Sequence, residues 1–179
     1  METPSKEKIA YVLLAVVTTL SCAAFIYYPQ IQQDLNYHLF SDQESMCSMP
    51  NFLNVISNGP FLIIGILGIH DLINNKSKKL VTEDFKRQKE LFFIGVALVA
   101  LGSGYYHWNP NNQTLVWDRL PMTVAFMALF SLIIGTFVNK NLGKKSLIPL
   151  ITIGFCSVLY WVVLDDLKLY AFVQFYPMV

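Results

Sequence analysis

The sequence predicts an all-α fold, a polytopic bundle of transmembrane helices, and three observations lead there. Hydrophobic residues make up 54% of the 179 residues and charged residues only 14%, against about 25% charged in soluble domains. The charges are also confined. No Asp, Glu, Lys or Arg occurs in 9–33, 45–70, 91–117, 120–139 or 146–164, and each window holds an apolar run near the ~20 residues needed to cross a bilayer as a helix. Third, the basic residues fall in alternate loops, as they do in chains that thread a membrane repeatedly.

The elements follow in order within a single membrane domain spanning 1–179. A short opening, Met1 to Lys8, leads into an apolar run at about 9–28 that Pro29 ends. That run is long for the core of a signal peptide and reads as an uncleaved membrane helix. The second helix, about 52–72, opens after Pro50. The third, about 90–107, stops at the Asn- and Pro-rich stretch 109–112, leaving Trp108–Trp117 as a ten-residue loop. The fourth, about 119–138, takes Asp118 as a candidate N-cap and tolerates Pro121 in its first turn. The fifth, about 146–164, follows Gly143. Gly65, Gly68, Gly95, Gly102 and Gly104 allow close helix approach. A partial sixth helix at 170–179 offers half a crossing. A helix that stops in mid-bilayer leaves carbonyls unpaired, so the expectation is a chain cut short, or final residues lying at an interface.

Orientation follows from the same basic residues. Lys6 and Lys8 precede the first helix, Lys76, Lys78, Lys79, Lys86, Arg87 and Lys89 join the second to the third, and Lys140, Lys144 and Lys145 join the fourth to the fifth. The alternate loops hold only Arg119 and Lys168. The amino terminus and the 74–89 loop are therefore expected to be cytoplasmic, with 29–51, 108–118 and 165–169 outside. Tyr27, Tyr28, Tyr105, Tyr106, Trp108 and Trp117 are expected to form an aromatic belt at the outer boundary. A net charge of +1 without a basic, aromatic-interleaved patch gives no reason to expect nucleic acid. Three scattered cysteines, Cys22, Cys47 and Cys156, make no disulfide framework.

Polar groups in lipid are costly, so their clusters are functional candidates. Asn54, Ser57 and Asn58 are spaced i, i+3, i+4 and share a helical face; they read either as interhelical glue or as support for a nearby site. The sharper cluster joins Ser103 and His107, one turn and about 6 Å apart along a helix, to Asp118 at the start of the next. A hydroxyl, an imidazole and a carboxylate at one depth suit hydrolysis, either as a nucleophilic triad or as part of a zinc site with an acid/base partner. Taken singly, each has a plain structural reading: Asp118 a cap, Ser103 a small packing residue, His107 an interfacial side chain bonded to a carbonyl. His70 lies at the opposite end, and His38 reads as part of an interfacial turn.

With those residues in view, YHLFSD (37–42), PNFLNVISNGPF (50–61), GSGYYHWNPNN (102–112), LVWDRLPMT (115–123) and YAFVQFYP (170–177) resemble the bacterial branch of the alkaline ceramidase family. That family belongs to a wider superfamily of membrane hydrolases and adiponectin/progestin-type receptors. The resemblance implies a seven-helix core that hydrolyses a lipid amide, with zinc bound by three histidines. It matches the first ligand to His107, the family's serine to Ser103 and its proton-shuttling aspartate to Asp118. The other two ligands, an HxxxH pair on the last helix, are not in this chain. A calcium site is not expected, because Asp42-Gln43-Glu44 has different spacing and Asn51 stands where the family has an acidic residue. The expected partners are the bilayer and a ceramide-like lipid substrate, with no protein partner. The expected function is metal-dependent hydrolysis of a ceramide-like amide, with a non-catalytic, lipid-binding or receptor-like membrane protein as the alternative.

Overall fold

Caps and prolines decide where these apolar runs become helices. The computed structural model describes residues 6–74 and 83–178. Along them run α1 (Lys6–Tyr27), α2 (Phe52–Ile56), α3 (Gly59–Ile73), α4 (Lys86–Trp108), α5 (Asn112–Phe137), α6 (Lys140–Leu164) and α7 (Lys168–Phe175). Short 3-10 turns stand at Leu35–His38, Glu83–Phe85 and Tyr176–Met178, and the described residues contain no strand. Five segments are long and apolar enough to cross a membrane: α1, α2 with α3, α4, α5 and α6. The chain is all-α, and these helices are those of a multi-pass membrane protein. Lys76, Lys78 and Lys79 lie outside the described residues.

The second segment is broken where a continuous helix was expected. Pro60 has no N–H to give to the carbonyl of Ile56. The Asn58 side chain serves the carbonyls just before it, donating from Nδ2 to that of Asn54 at 2.9 Å and to that of Val55 at 3.3 Å. Ser57 Oγ donates to the same Asn54 carbonyl. Asn58 and Ser57 therefore serve their own backbone at a break between α2 and α3.

The fourth helix begins well before 119. Asn111 is its N-cap, accepting at Oδ1 from the N–H groups of Gln113 and Thr114, while the Thr114 hydroxyl accepts from the Asn111 N–H. This reciprocal box satisfies donors that the first turn cannot. Asp118 is consequently not a cap but lies inside the helix, as does Pro121, and the linker from α4 shrinks to 109–111. Asn139 caps α6, accepting at Oδ1 from the N–H groups of Asn141 and Leu142, so Lys140 to Lys145 are helical rather than loop.

Packing runs α3 against α4, α4 against α5 and α5 against α6, with α7 lying on α6. α1 stands apart. It touches α7 through the Phe25 and Phe172 rings, 6.3 Å apart, and the 3-10 turn after α7 through a hydrogen bond between the Thr18 and Tyr176 hydroxyls. A core at one end gathers Tyr106, Leu115, Val158, Trp161 and Tyr170. Tyr106 thus leaves the expected aromatic belt for the interior, being only 2% exposed, whereas Tyr27, Tyr28, Tyr105, Trp108 and Trp117 are exposed.

Asp166 ties this end together. Its carboxylate accepts from the backbone N–H of Ile31 at 3.2 Å and of Lys168 at 3.0 Å, and from the Tyr160 hydroxyl at 3.3 Å, beside the Lys168 ammonium. Burial pushes this carboxyl up, but the N–H donors of Lys168 and Ile31, with the Lys168 charge, outweigh that and hold it below its ordinary 3.8. A lowered value in the fold means stability that is fully present above the ordinary value and fades as pH falls through the lowered one. Melting in detergent is therefore expected to lose an increment below about pH 4 in the wild type. Asp166→Ala is expected to lower stability by about 2 kcal/mol at neutral pH and to flatten that acid limb. An unchanged acid limb would contradict the assignment.

Candidate functional site

A missing side chain and a freed carbonyl bring α4 and α5 into close contact. Pro121 cannot donate to the Trp117 carbonyl one turn back. That oxygen instead meets Gly102 on α4, where a Cβ would fall on it. With the two backbones in contact at 102 and 117, their successors face each other. The buried Ser103 hydroxyl on α4 lies beside the half-buried Asp118 carboxylate of α5.

His107 lies one turn further along the face of α4 that carries Ser103. Its ring packs against Phe40, with centroids 4.7 Å apart, and against Tyr106 at 5.1 Å. Its Nδ1 is buried without a hydrogen-bond partner, which is uncommon for a buried polar atom. In a Ser-His-Asp triad the imidazole stands between the other two. Here His107 Nδ1 has no partner and the ring packs on Phe40 and Tyr106, so the nucleophilic-triad arrangement is not formed.

The loop between α1 and α2 closes over this end. Asn51 Nδ2 donates to the His107 carbonyl at 2.8 Å. His38 bonds the Tyr106 hydroxyl through Nδ1 and Asn112 Oδ1 through Nε2, both at 2.9 Å, so it belongs to an inward-tied 3-10 turn. Asp42 Oδ2 accepts from the N–H groups of Leu53 and Asn54, and the Asn54 amide returns a bond to the Asp42 carbonyl. Asn54 thus holds the loop rather than a neighbouring helix. His70, in the last turn of α3, is far along the bundle from this cluster.

One member of the cluster was not expected from the sequence. Arg119, only 6% exposed, lies over the Trp161 ring at 4.1 Å and the Tyr170 ring at 4.8 Å. Its Nη2 donates to the buried Gln33 Oε1 at 2.6 Å, while Nη1 is buried without a partner. A charged side chain flanked by the apolar runs on either side was the available signal; counting it as a loop residue hid it.

The residues present do not complete a metal centre. Catalytic zinc takes three protein ligands and a water. Among the described residues no group of three His, Cys, Asp or Glu side chains is placed to hold an ion. The orphaned Nδ1 of His107 would serve as one ligand and no more.

The sequence pattern of the family described as Ceramidase matches residues 44–178, well over half of the chain. The chain belongs to the Ceramidase family. No curated protein and no solved structure matches it. The matched span of this ceramidase-family chain contains Ser103, His107 and Asp118 together with α2 to α7, and a ceramidase-like hydrolase is the class to which it is assigned.

Proposed function

We propose that the Ser103–Asp118 pair, with His107 one turn away, is the reaction centre of a membrane hydrolase that cleaves the amide of a ceramide-like lipid. The observation that carries this reading is the apposition of the Ser103 hydroxyl and the Asp118 carboxylate at the Gly102–Trp117 contact, with an imidazole bearing an orphaned nitrogen one turn along α4. In hydrolysis the oxygen of water adds to the amide carbonyl carbon and the C–N bond breaks, giving a fatty acid and an amine. Asp118 accepts the proton of the attacking water and returns it to the leaving nitrogen. Ser103 keeps that carboxylate pointed at the reacting atoms by donating to it. A zinc ion, which would lower the pKa of its water, would take His107 as a ligand but needs two more that these residues do not supply, so no step here is assigned to it.

The positive-inside pattern supports placing the amino terminus and the 74–89 loop in the cytoplasm and this centre near the outer face. That depth suits a lipid amide, which lies just below the headgroups. A second reading, a non-catalytic lipid-binding member of the same superfamily, is favoured by the single imidazole.

Purified protein supplied with zinc and incubated with ceramide in mixed micelles separates the two. The hydrolase reading expects free fatty acid from the wild type and none from His107→Ala. Ceramide bound but left intact by the wild type establishes the second reading instead.

A further inference from the structure

The opposite end of the bundle carries a second feature that the hydrolase centre does not use. Between the first turns of α4 and α6 lies a cavity of about 540 Å³. Lys86, Arg87 and Lys144 stand at its rim with Asp84, Glu90 and Gln88, and Leu91, Ile94 and Ile148 line it further along the helices. Both helices begin here, and neither has an acidic residue in its first turn. Helix N-termini carry partial positive charge, so cations are disfavoured there and anions are favoured. This end therefore concentrates positive charge where the backbone already opposes it.

The carboxylates nearby relieve only part of that load. Asp84 pairs with both Lys140 and Lys144, and Glu90 sits 3.7 Å from Lys86. The cavity lining thus holds three cations and two carboxylates, and Arg87 has no acidic partner among the described residues. The positive-inside tendency accounts for basic residues at this level. It does not account for a cavity between two helices with a cationic rim and an apolar floor. That pairing is the shape of a lipid's own polarity: an anionic headgroup at the interface with hydrocarbon beneath it. Basic pockets between membrane helices take such headgroups.

We infer that the cleft between α4 and α6 is a binding site for an anionic phospholipid, its phosphate held by Arg87 and Lys144 and its chains lying along Leu91, Ile94 and Ile148. It is separate from the hydrolase centre and does not depend on that assignment. Arg87 supplies the planar fork that suits a phosphate, and Lys144 shares its charge between the phosphate and Asp84. An ordinary zwitterionic lipid would bring an ammonium group to a rim that already has surplus cations.

The full chain is reconstituted with equal phosphatidylcholine and phosphatidylglycerol, extracted in mild detergent, and its retained lipids are weighed by native mass spectrometry. Phosphatidylglycerol is expected to be retained over phosphatidylcholine on the order of ten-fold. Arg87→Gln is expected to cut that preference several-fold, while Arg87→Lys keeps most of it. Lys145→Gln removes the same charge from a residue outside the cavity lining and is expected to leave the preference unchanged. Equal retention of the two lipids overturns the proposal. So does an equal loss from Arg87→Gln and Lys145→Gln, which would mean bulk surface attraction. Displacement of the retained lipid by millimolar inorganic phosphate would assign the rim to a soluble anion and overturn the lipid.

Discussion

Replacing Arg119 with Ala is expected to lower folding stability by about 3–5 kcal/mol, as removal of one partner from a buried charged network does. Several terms point the same way. The guanidinium donates to Gln33 Oε1 and lies over two aromatic rings; contacts of that kind contribute about 0.5–2 kcal/mol each when desolvated. Without it, the buried Gln33 oxygen loses its donor and Asp118 loses the nearest positive charge. A cavity also opens between α5, α6 and α7, adding a packing cost. Arg119→Lys is expected to recover little, because a point charge neither stacks as a plane nor reaches as a fork. Arg119→Met refills the space but not the charge, and is expected to recover only the cavity part. Thermal unfolding in detergent measures all three. An Ala variant within about 1 kcal/mol of wild type would mean that the guanidinium is not integral to this end of the bundle.

The second large effect is expected at Gly102, and it is made sharp by a neighbour. Gly102 and Gly104 lie on the same helix, and Gly→Ala at an open helical position gains about 0.5–1 kcal/mol. A Cβ at Gly104 meets nothing within 4 Å, whereas at Gly102 it falls on the Trp117 carbonyl. Gly104→Ala is therefore expected to be neutral or stabilising, and Gly102→Ala to cost about 1–3 kcal/mol as the two backbones are forced apart. That separation acts at Ser103 and Asp118, the next residues on each side. Misplacement by about 1 Å can cost 10²-fold in rate, so Gly102→Ala is expected to lose fatty-acid release on that scale while Gly104→Ala keeps it. Equal behaviour of the two variants would contradict the close approach.

The membrane character was legible because it is written in composition: charge-free windows need no partner to be recognised. The boundaries that bear on the site were not, for identifiable reasons. Asp118 has the chemistry of a cap, but Asn111 and Thr114 form a reciprocal one seven residues earlier, and a helix has only one start. Both residues were visible; the apolar run that begins later drew the boundary instead. Tyr106 belongs to a row of aromatics that reads as an interfacial belt, and only the packing of α4 on α5 and α6 decides which of them turns inward. Arg119 was counted by its charge, whereas its place comes from Gln33, Trp161 and Tyr170, which approach it from distant parts of the chain. That Ser103 and Asp118 come together was readable from helical spacing and a short connection, but that the His107 ring packs on Phe40 and Tyr106 was not.

The direct comparison is the rate of fatty-acid release from ceramide by wild type and by Asp118→Asn, with both proteins shown to melt alike. An amide in place of the carboxylate keeps the shape and can still bond Ser103, but it cannot take the proton of the attacking water. The account predicts a loss of about 10²–10⁴-fold. Equal rates from the two proteins would contradict it.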